Sequence, residues 1–388
     1  MAENLFAPNP EPKTPLGRYR VLGPNCGLRV SPLQLGAMSI GKAWESMMGS
    51  MSKEDSFKLL DAFLDAGGNF IDTANAYQND ESEEWLGEWM ESRNVRDRMV
   101  IATKYTTNYK MYDIGKNEAI LYGGNDKRSM QMSVRDSLKK LKTDWIDILY
   151  VHWWDYTTSI KEVMDSLHML VEQGKVMYLG VSDTPAWVVS AANQYAIDHG
   201  KTPFVIYQGR WNCMIRDFER EIIPMARQFG LALAPWDAIG SGRLLSKKQL
   251  EARLKSGEKM RGQGGNEQTE IERKYSEVLE EIANKHGVES VTAVALAYVM
   301  AKTPHVVPLV GGRKVEHLHD NIKAIDLKLT ADEIAKIDSV QEFEHGFPAN
   351  FCGTDPTMNP IEGQPRNRLI GASGTLEFLP GAKPFNLA

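Results

Sequence analysis

Cysteine is scarce: Cys26, Cys213 and Cys352 are the only three in 388 residues, far apart and without a CxxC spacing. That excludes a disulfide framework and a thiolate zinc site, and points to reduced thiols in a cytoplasmic protein. No His/Cys cluster or carboxylate set has ligand spacing, and His317 and His319, two apart on a helix, do not share a face, so no metal is expected. There is no run of about 18 apolar residues, so no membrane span is expected. Basic residues do not predominate: 45 Lys and Arg stand against 51 Asp and Glu, a net charge of -6, which argues against a nucleic-acid partner. No GxGxxG follows a strand-like run, so a Rossmann dinucleotide site is not supported. GxSxG, the hydrolase elbow, is also missing. The opening MAENLFAPNPEPKTPLG lacks the charged start and apolar core of a secretory signal. Its prolines at 8, 10, 12 and 15 predict an extended arm over residues 1–17.

What the chain does have is alternation. From about residue 30 to 325, short β-rich runs alternate with amphipathic segments, the pattern of parallel α/β architecture. The runs PLQLGA, NFIDTA, MVIATK, WIDILYVH, VMYLGVS, FVIYQ, LALAPW and HVVPLVG number eight. Most are spaced as a βαβ unit requires. The fold class expected is a (β/α)8 TIM barrel, with residues 1–388 as one barrel domain and a long tail over about 343–388. A barrel of this kind takes roughly 250 residues. The surplus falls at 105–128 and 237–270, both after strand ends, where loops contact ligands. Ser52 is expected to cap the first barrel helix, and Thr330 with Glu333 to form a capping box beyond the last.

Three of these runs end on, or lead to, four chemically active side chains. Asp72 closes NFIDTA, Tyr77 follows it, Lys104 closes MVIATK and His152 closes WIDILYVH. Strand ends converge on one mouth in a barrel, so these distant positions are expected to meet. Tyrosine, with a pKa of about 10, is a poor acid near neutrality, but a nearby ammonium stabilises tyrosinate and lowers that value. Aspartate would keep the lysine charged, and a neutral histidine would donate to a carbonyl oxygen. Hydride must then come from a nicotinamide, because no side chain supplies one. Taken singly, each residue has an ordinary alternative: a cap, a surface tyrosine, a snorkelling lysine, a core histidine.

The four together closely resemble the aldo-keto reductase tetrad. The words GGNDKRSM, YVHWWDYTT, LGVSDTP and PLVGGRKVEHLHDNI are similar to the fungal aryl-alcohol dehydrogenases and norsolorinic acid reductases. The resemblance runs from about Tyr19 to Val340 and implies NADPH/NADP+ as cofactor. It implies that Ser182 and Gln208 hold the nicotinamide carboxamide and that Trp236 stacks on its ring. Gly240, Ser241, Gly242 and Leu244 would strap the pyrophosphate. A helix opening at Gly312 would present free N–H groups, with Arg313, Lys314, His317 and Asn321 meeting a 2′-phosphate and adenine. Two departures stand out. Asp183 replaces the family's frequent Asn, and either binds the carboxamide or caps the helix before Pro185. His317 stands where many relatives carry Arg.

Aromatic residues crowd these strand ends. Trp153 and Trp154 follow His152, Tyr105 follows Lys104, Trp211 lies just past Gln208, and Trp44, Tyr109 and Phe351 are further candidates for the wall of a substrate cavity. Such a wall suits a flat apolar molecule. The resemblance implies an aromatic ketone, aldehyde or alcohol: either an aryl alcohol of general metabolism or a norsolorinic acid-type polyketide of aflatoxin- or sterigmatocystin-like secondary metabolism. It also admits a cofactor-binding regulatory subunit, as among potassium-channel β-subunits. The oligomeric state is left open.

Overall fold

The computed structural model describes residues 7–256, 267–355, 367–376 and 381–388. Two short strands, β1 (Arg20–Gly23) and β2 (Cys26–Val30), form an antiparallel hairpin. Eight more strands form one parallel sheet: β3 (Gln34–Gly36), β4 (Phe70–Asp72), β5 (Val100–Tyr105), β6 (Ile146–Val151), β7 (Val176–Ser182), β8 (Phe204–Arg210), β9 (Ala232–Trp236) and β10 (Leu309–Val310). They pair in the order β10-β3-β4-β5-β6-β7-β8-β9, and a bridge between Leu233 and Val306 brings the two edges together. The result is the expected (β/α)8 barrel. Its strands read as near-continuous apolar runs because both faces are covered, by the barrel interior and by helices; every residue of β5 is buried.

The hairpin was not anticipated. Its Leu22, Cys26 and Val30 pack with Phe70, Val100, Ile148 and Val205, residues at or near the starts of β4, β5, β6 and β8, and so close the floor of the barrel. The mouth at the opposite end is therefore the open one.

Local chemistry sets the helices around the barrel. Ser52 accepts from the Asp55 N–H to open Lys53–Asp65, whose Leu59, Leu60 and Phe63 are buried. Thr330 and Glu333 satisfy each other's backbone N–H groups at the start of Ala331–Asp338, a reciprocal cap. Helix Val291–Lys302 is buried along nearly its whole length. Among the described residues no helix is long and apolar enough to cross a membrane.

Both surplus segments follow strand ends at the mouth. The first carries short turns at Met111–Ile114 and Glu118–Tyr122, and the second carries Gly240–Gly242 and helix Lys247–Ser256. Of the second surplus, 237–270, residues 257–266 lie outside the described residues. The tail does return to the barrel, but toward the floor. Asn386 is buried and donates to the Ala324 and Leu327 carbonyls, both at 2.8 Å, while the Arg20 guanidinium lies 4.1 Å from the Phe385 ring centre.

Candidate active site

Parallel register brings the four candidate residues to one mouth. Asp72 pairs with Ala102, Lys104 with Tyr150, and the His152 N–H donates to the Tyr105 carbonyl. The Lys104 ammonium sits 2.5 Å from Asp72 Oδ1, donates to the Thr73 carbonyl at 2.8 Å, and lies 5.1 Å from the Tyr77 ring centre. Both members of the ion pair are buried. Burial works against the Lys104 charge, but Asp72 and then Tyr77 more than offset it, and the net shift of its pKa is upward. The lysine therefore stays cationic.

For Tyr77 the balance differs from the expectation. Burial raises its pKa more than the Lys104 charge lowers it, so the net direction is up. The phenol is thus kept protonated at neutral pH, ready to give a proton, and Lys104 is placed to stabilise the tyrosinate that results. His152 lies edge-on to Tyr77 with ring centres 5.8 Å apart. Burial first, and the Lys104 charge second, depress its pKa to about 3, so its imidazole is neutral.

The loop carrying Tyr77 is held from behind. Gln78, Asn79 and Asp80 all have left-handed backbones, and the Lys140 ammonium ties that turn down by donating to Asn75 O at 3.0 Å and to Asp80 Oδ1 at 2.6 Å. Lys140 also pairs at 2.8 Å with the fully buried Glu83, which accepts from Thr103 and Ser137. Below the mouth, the Tyr150 ring lies across Gly180: a Cβ there would come within 2.6 Å of the ring carbons. Only glycine fits beside this tyrosine.

The residues expected to hold a cofactor occupy the other half of the mouth. Ser182 and Gln208 are buried register partners on β7 and β8. The Gln208 amide donates to Asp72 Oδ2 at 2.8 Å, so it also anchors the buried aspartate. Asp183, in a left-handed backbone, makes no capping bond; its carboxylate accepts from Trp236 Nε1 at 3.1 Å. The capping alternative is thereby removed. Gly240, Ser241 and Gly242 are three successive left-handed residues, with Ser241 Oγ bonded to Asp237 at 2.6 Å. Leu244 is fully buried, so its side chain fixes this turn to the core and leaves only its backbone for a ligand. The helix expected at Gly312 begins instead at Val315, with Lys314 as its N-cap. Gly312, Lys314 and the buried Asn321 line one recess with Leu35, Leu59 and Leu318. Arg313 lies against Gly49, and His317 is exposed near Gly312.

Of Trp153, Trp154, Trp211 and Tyr105, Trp153 is the one that fits the rim. It is 40% exposed, and its indole N–H donates to Thr107 Oγ1 at 3.1 Å. Trp154 faces the other way and packs among Ile160, Val163 and Val188. Trp211 and Tyr105 are fully buried: the first stacks on Phe218 at 5.4 Å, and the second donates to the Asn125 carbonyl at 3.3 Å. Tyr109 is buried too, bonded to Asp136. These three are barrel packing, because side chains at or past a strand end can turn back into the helix layer. Trp44, whose ring centre is 6.1 Å from that of Tyr77, does stand at the mouth, whereas nothing brings the exposed Phe351 there.

Sequence reasoning missed the polar clamps that hold the mouth. Asn125 and Asp155 bond reciprocally, each side chain accepting the other's backbone N–H, at 2.7 and 2.8 Å. Asn125 Nδ2 also donates to Thr106 Oγ1 and to the Trp153 carbonyl. Thr106 has φ +104°, an outlying conformation for a β-branched residue that costs about 1–3 kcal/mol and persists only where neighbours impose it. The signal was present in the words GGND and HWWD, which contain Asn125 and Asp155.

Comparison with known proteins agrees with this architecture. Residues 32–342 match the Aldo/keto reductase family. The chain is 63% identical over 356 residues to a putative aryl-alcohol dehydrogenase of Saccharomyces cerevisiae, covering 92% of this chain and 95% of the relative. It is 56% identical over 364 residues to the aryl-alcohol dehydrogenase [NADP(+)] of Phanerodontia chrysosporium, covering 92% and 94%. It is 49% identical over 350 residues to the norsolorinic acid reductase of Aspergillus flavus, covering 90% and 88%. The barrel, the four side chains gathered at its mouth and these matches lead to one conclusion: the chain belongs to the aldo/keto reductase family.

Proposed function

We propose that the chain is an NADPH-dependent reductase interconverting an aromatic ketone or aldehyde and its alcohol, acting in the cytoplasm. The observation that carries this reading is the placement of Tyr77 and His152, ring centres 5.8 Å apart, over the buried Lys104–Asp72 ion pair, where burial favours a protonated phenol and a neutral imidazole. Tyr77 gives its proton to the carbonyl oxygen, and the tyrosinate left behind is stabilised by Lys104. His152 orients that oxygen. In the oxidative direction tyrosinate takes the proton back.

A nicotinamide dinucleotide, when bound, supplies or accepts the hydride. The donor set suits one. Ser182 and Gln208 carry hydrogen-bonding groups at adjacent strand ends, Trp236 has a flat face beside them, and the turn at Gly240–Gly242 lets backbone approach a phosphate closely. Arg313 and Lys314 supply the positive charge that a 2′-phosphate would require, and the NADP(+)-named relative supports the same choice. The exposed Trp153, with Trp44 beside Tyr77, gives the mouth an apolar wall for an aromatic ring. The names of the relatives, aryl-alcohol dehydrogenase and norsolorinic acid reductase, support the same substrate class, and the second of them supports a polyketide substrate in secondary metabolism. The test is NADPH consumption on a panel of aryl aldehydes, aryl ketones and short aliphatic aldehydes. Stoichiometric alcohol from the aryl members is expected; cofactor binding with no turnover on any member would overturn the reading.

A further inference from the structure

A histidine that must donate a hydrogen bond does so only from the ring nitrogen that carries its proton. Neutral imidazole carries one N–H, and the partner of one ring nitrogen decides which nitrogen keeps it. In this chain the partner is Thr107, two residues beyond the end of β5. Its Oγ1 lies 3.2 Å from His152 Nδ1 and 3.1 Å from Trp153 Nε1.

These two contacts are not equivalent. An indole N–H can only donate, so Thr107 Oγ1 accepts from Trp153. A hydroxyl oxygen can accept twice, but this hydroxyl also has its own hydrogen to place, and His152 Nδ1 lies 3.2 Å away to take it. With the hydrogen given to Nδ1, that nitrogen is bare and Nε2 carries the ring proton. We propose that Thr107 is a positioning residue that sets the His152 tautomer, so that Nε2–H is the donor presented to the substrate oxygen. This rests on the reading of His152 as the carbonyl-orienting group.

The surrounding structure delivers the hydroxyl to this place. Thr106, next to it, is held in its left-handed backbone by Asn125, whose Nδ2 bonds Thr106 Oγ1 at 2.9 Å. That same Thr106 oxygen accepts the His152 N–H at 3.3 Å. Asn125 also holds the Trp153 carbonyl at 3.0 Å, and Asp155 closes the clamp. The loop after β5 and the loop after β6 are thus locked together, with Thr107, His152 and Trp153 at their contact. A threonine that merely filled space would need no such convergence of an indole donor and an imidazole acceptor on one oxygen.

The experiment is ¹⁵N–¹H correlation of the histidine rings at neutral pH in the full chain, with His152 assigned by its loss in His152→Gln. In the wild type, Nε2 is expected to be protonated and Nδ1 bare. Thr107→Val, which keeps the shape and removes the hydroxyl, should shift the ring toward a mixture of tautomers. It should also lower kcat on an aryl aldehyde by about tenfold or more, the scale on which groups that orient a histidine act, with NADPH affinity unchanged. Thr107→Ser should restore both. A protonated Nδ1 in the wild type, or an unchanged ring signal in Thr107→Val, overturns the assignment. A tautomer that moves while turnover does not would instead uphold Thr107 and sink the role given to His152. Should Thr107→Val fail to fold, Trp153→Phe supplies the same ring measurement: without the indole donor the preference for Nε2–H should weaken, and an unaltered preference counts against the proposal.

Discussion

The two halves of the mouth are built differently. On the side of β4 to β6, the polar side chains at the strand ends have fixed protein partners: Lys104 has Asp72 and Thr73, His152 has Thr107, and the Tyr77 loop has Lys140. On the side of β7 to β10, several groups that would meet a cofactor sit in left-handed turns or in the exposed first turn of a helix, as at Asp183, Ser241, Lys314 and His317, beside the buried Ser182 and Gln208. Such fixed partners suit the proton transfer proposed for the first half, which tolerates little misplacement. The second presents backbone and charge over a wide surface, as a long anionic dinucleotide needs. Damage to the first half should therefore fall on turnover, and damage to the second on binding.

Tyr77→Phe is the strongest way to break this division. Removing the positioned acid should lower turnover by about 10²–10⁴-fold. NADPH binding, followed by tryptophan fluorescence, should scarcely change; near-normal turnover would refute the role of Tyr77. Lys104→Met comes next and should hurt in two ways. It leaves Asp72 buried without its counter-ion, which costs about 3–5 kcal/mol of stability in a denaturant melt. It also removes the charge that favours tyrosinate, so the residual activity in alcohol oxidation should need a higher pH than in the wild type.

On the other half, replacing both Arg313 and Lys314 with Ala should weaken NADPH at least about tenfold more than NADH, given about 1.5–3 kcal/mol for a hydrogen bond to a charged group. Equal weakening of both cofactors would move the 2′-phosphate elsewhere. Trp153→Ala should raise KM for a polycyclic aryl ketone more than for a short aldehyde, whereas Trp211→Ala, which empties a core position, should lower stability by about 3–5 kcal/mol and affect both substrates alike. The smallest effect concerns acid. His152 has a folded-state pKa near 3, below the roughly 6.5 of an unfolded histidine, so the unfolded chain binds more protons between those values. Stability should fall as pH drops through that window, and His152→Gln should soften the fall measured by thermal melts from pH 6 to 4.

The strands and Asp72, Lys104 and His152 could be read from the chain because they obey a local rule, an apolar run of strand length and then a polar residue where the run ends, and Tyr77 follows in the loop after the first of them. Two helix starts were equally legible, since Ser52 and Thr330 act within one turn of themselves, whereas the start read at Gly312 falls at Val315. What stayed hidden depends on side-chain direction or on distant partners. Trp153 and Trp154 are adjacent, yet one meets the mouth and the other the helix layer. Trp211 looked like a wall and is core. The floor hairpin escaped notice because four and five residues are too few for periodicity to speak. Tyr77 exposed a further limit, since its net pKa direction depends on a burial that no motif encodes.

Tyr150 and Gly180 share one space beneath Lys104, whose ammonium is 5.7 Å from the centre of the Tyr150 ring. In evolutionary terms these two positions form a single character. A side chain arriving at 180 would force the tyrosine out, and a small residue at 150 would leave a hole beneath the ion pair unless 180 grew to fill it. Neither change is tolerable alone, while the two in concert exchange one floor for another. In this chain the floor under the ion pair is therefore expected to accept change only when both positions change together.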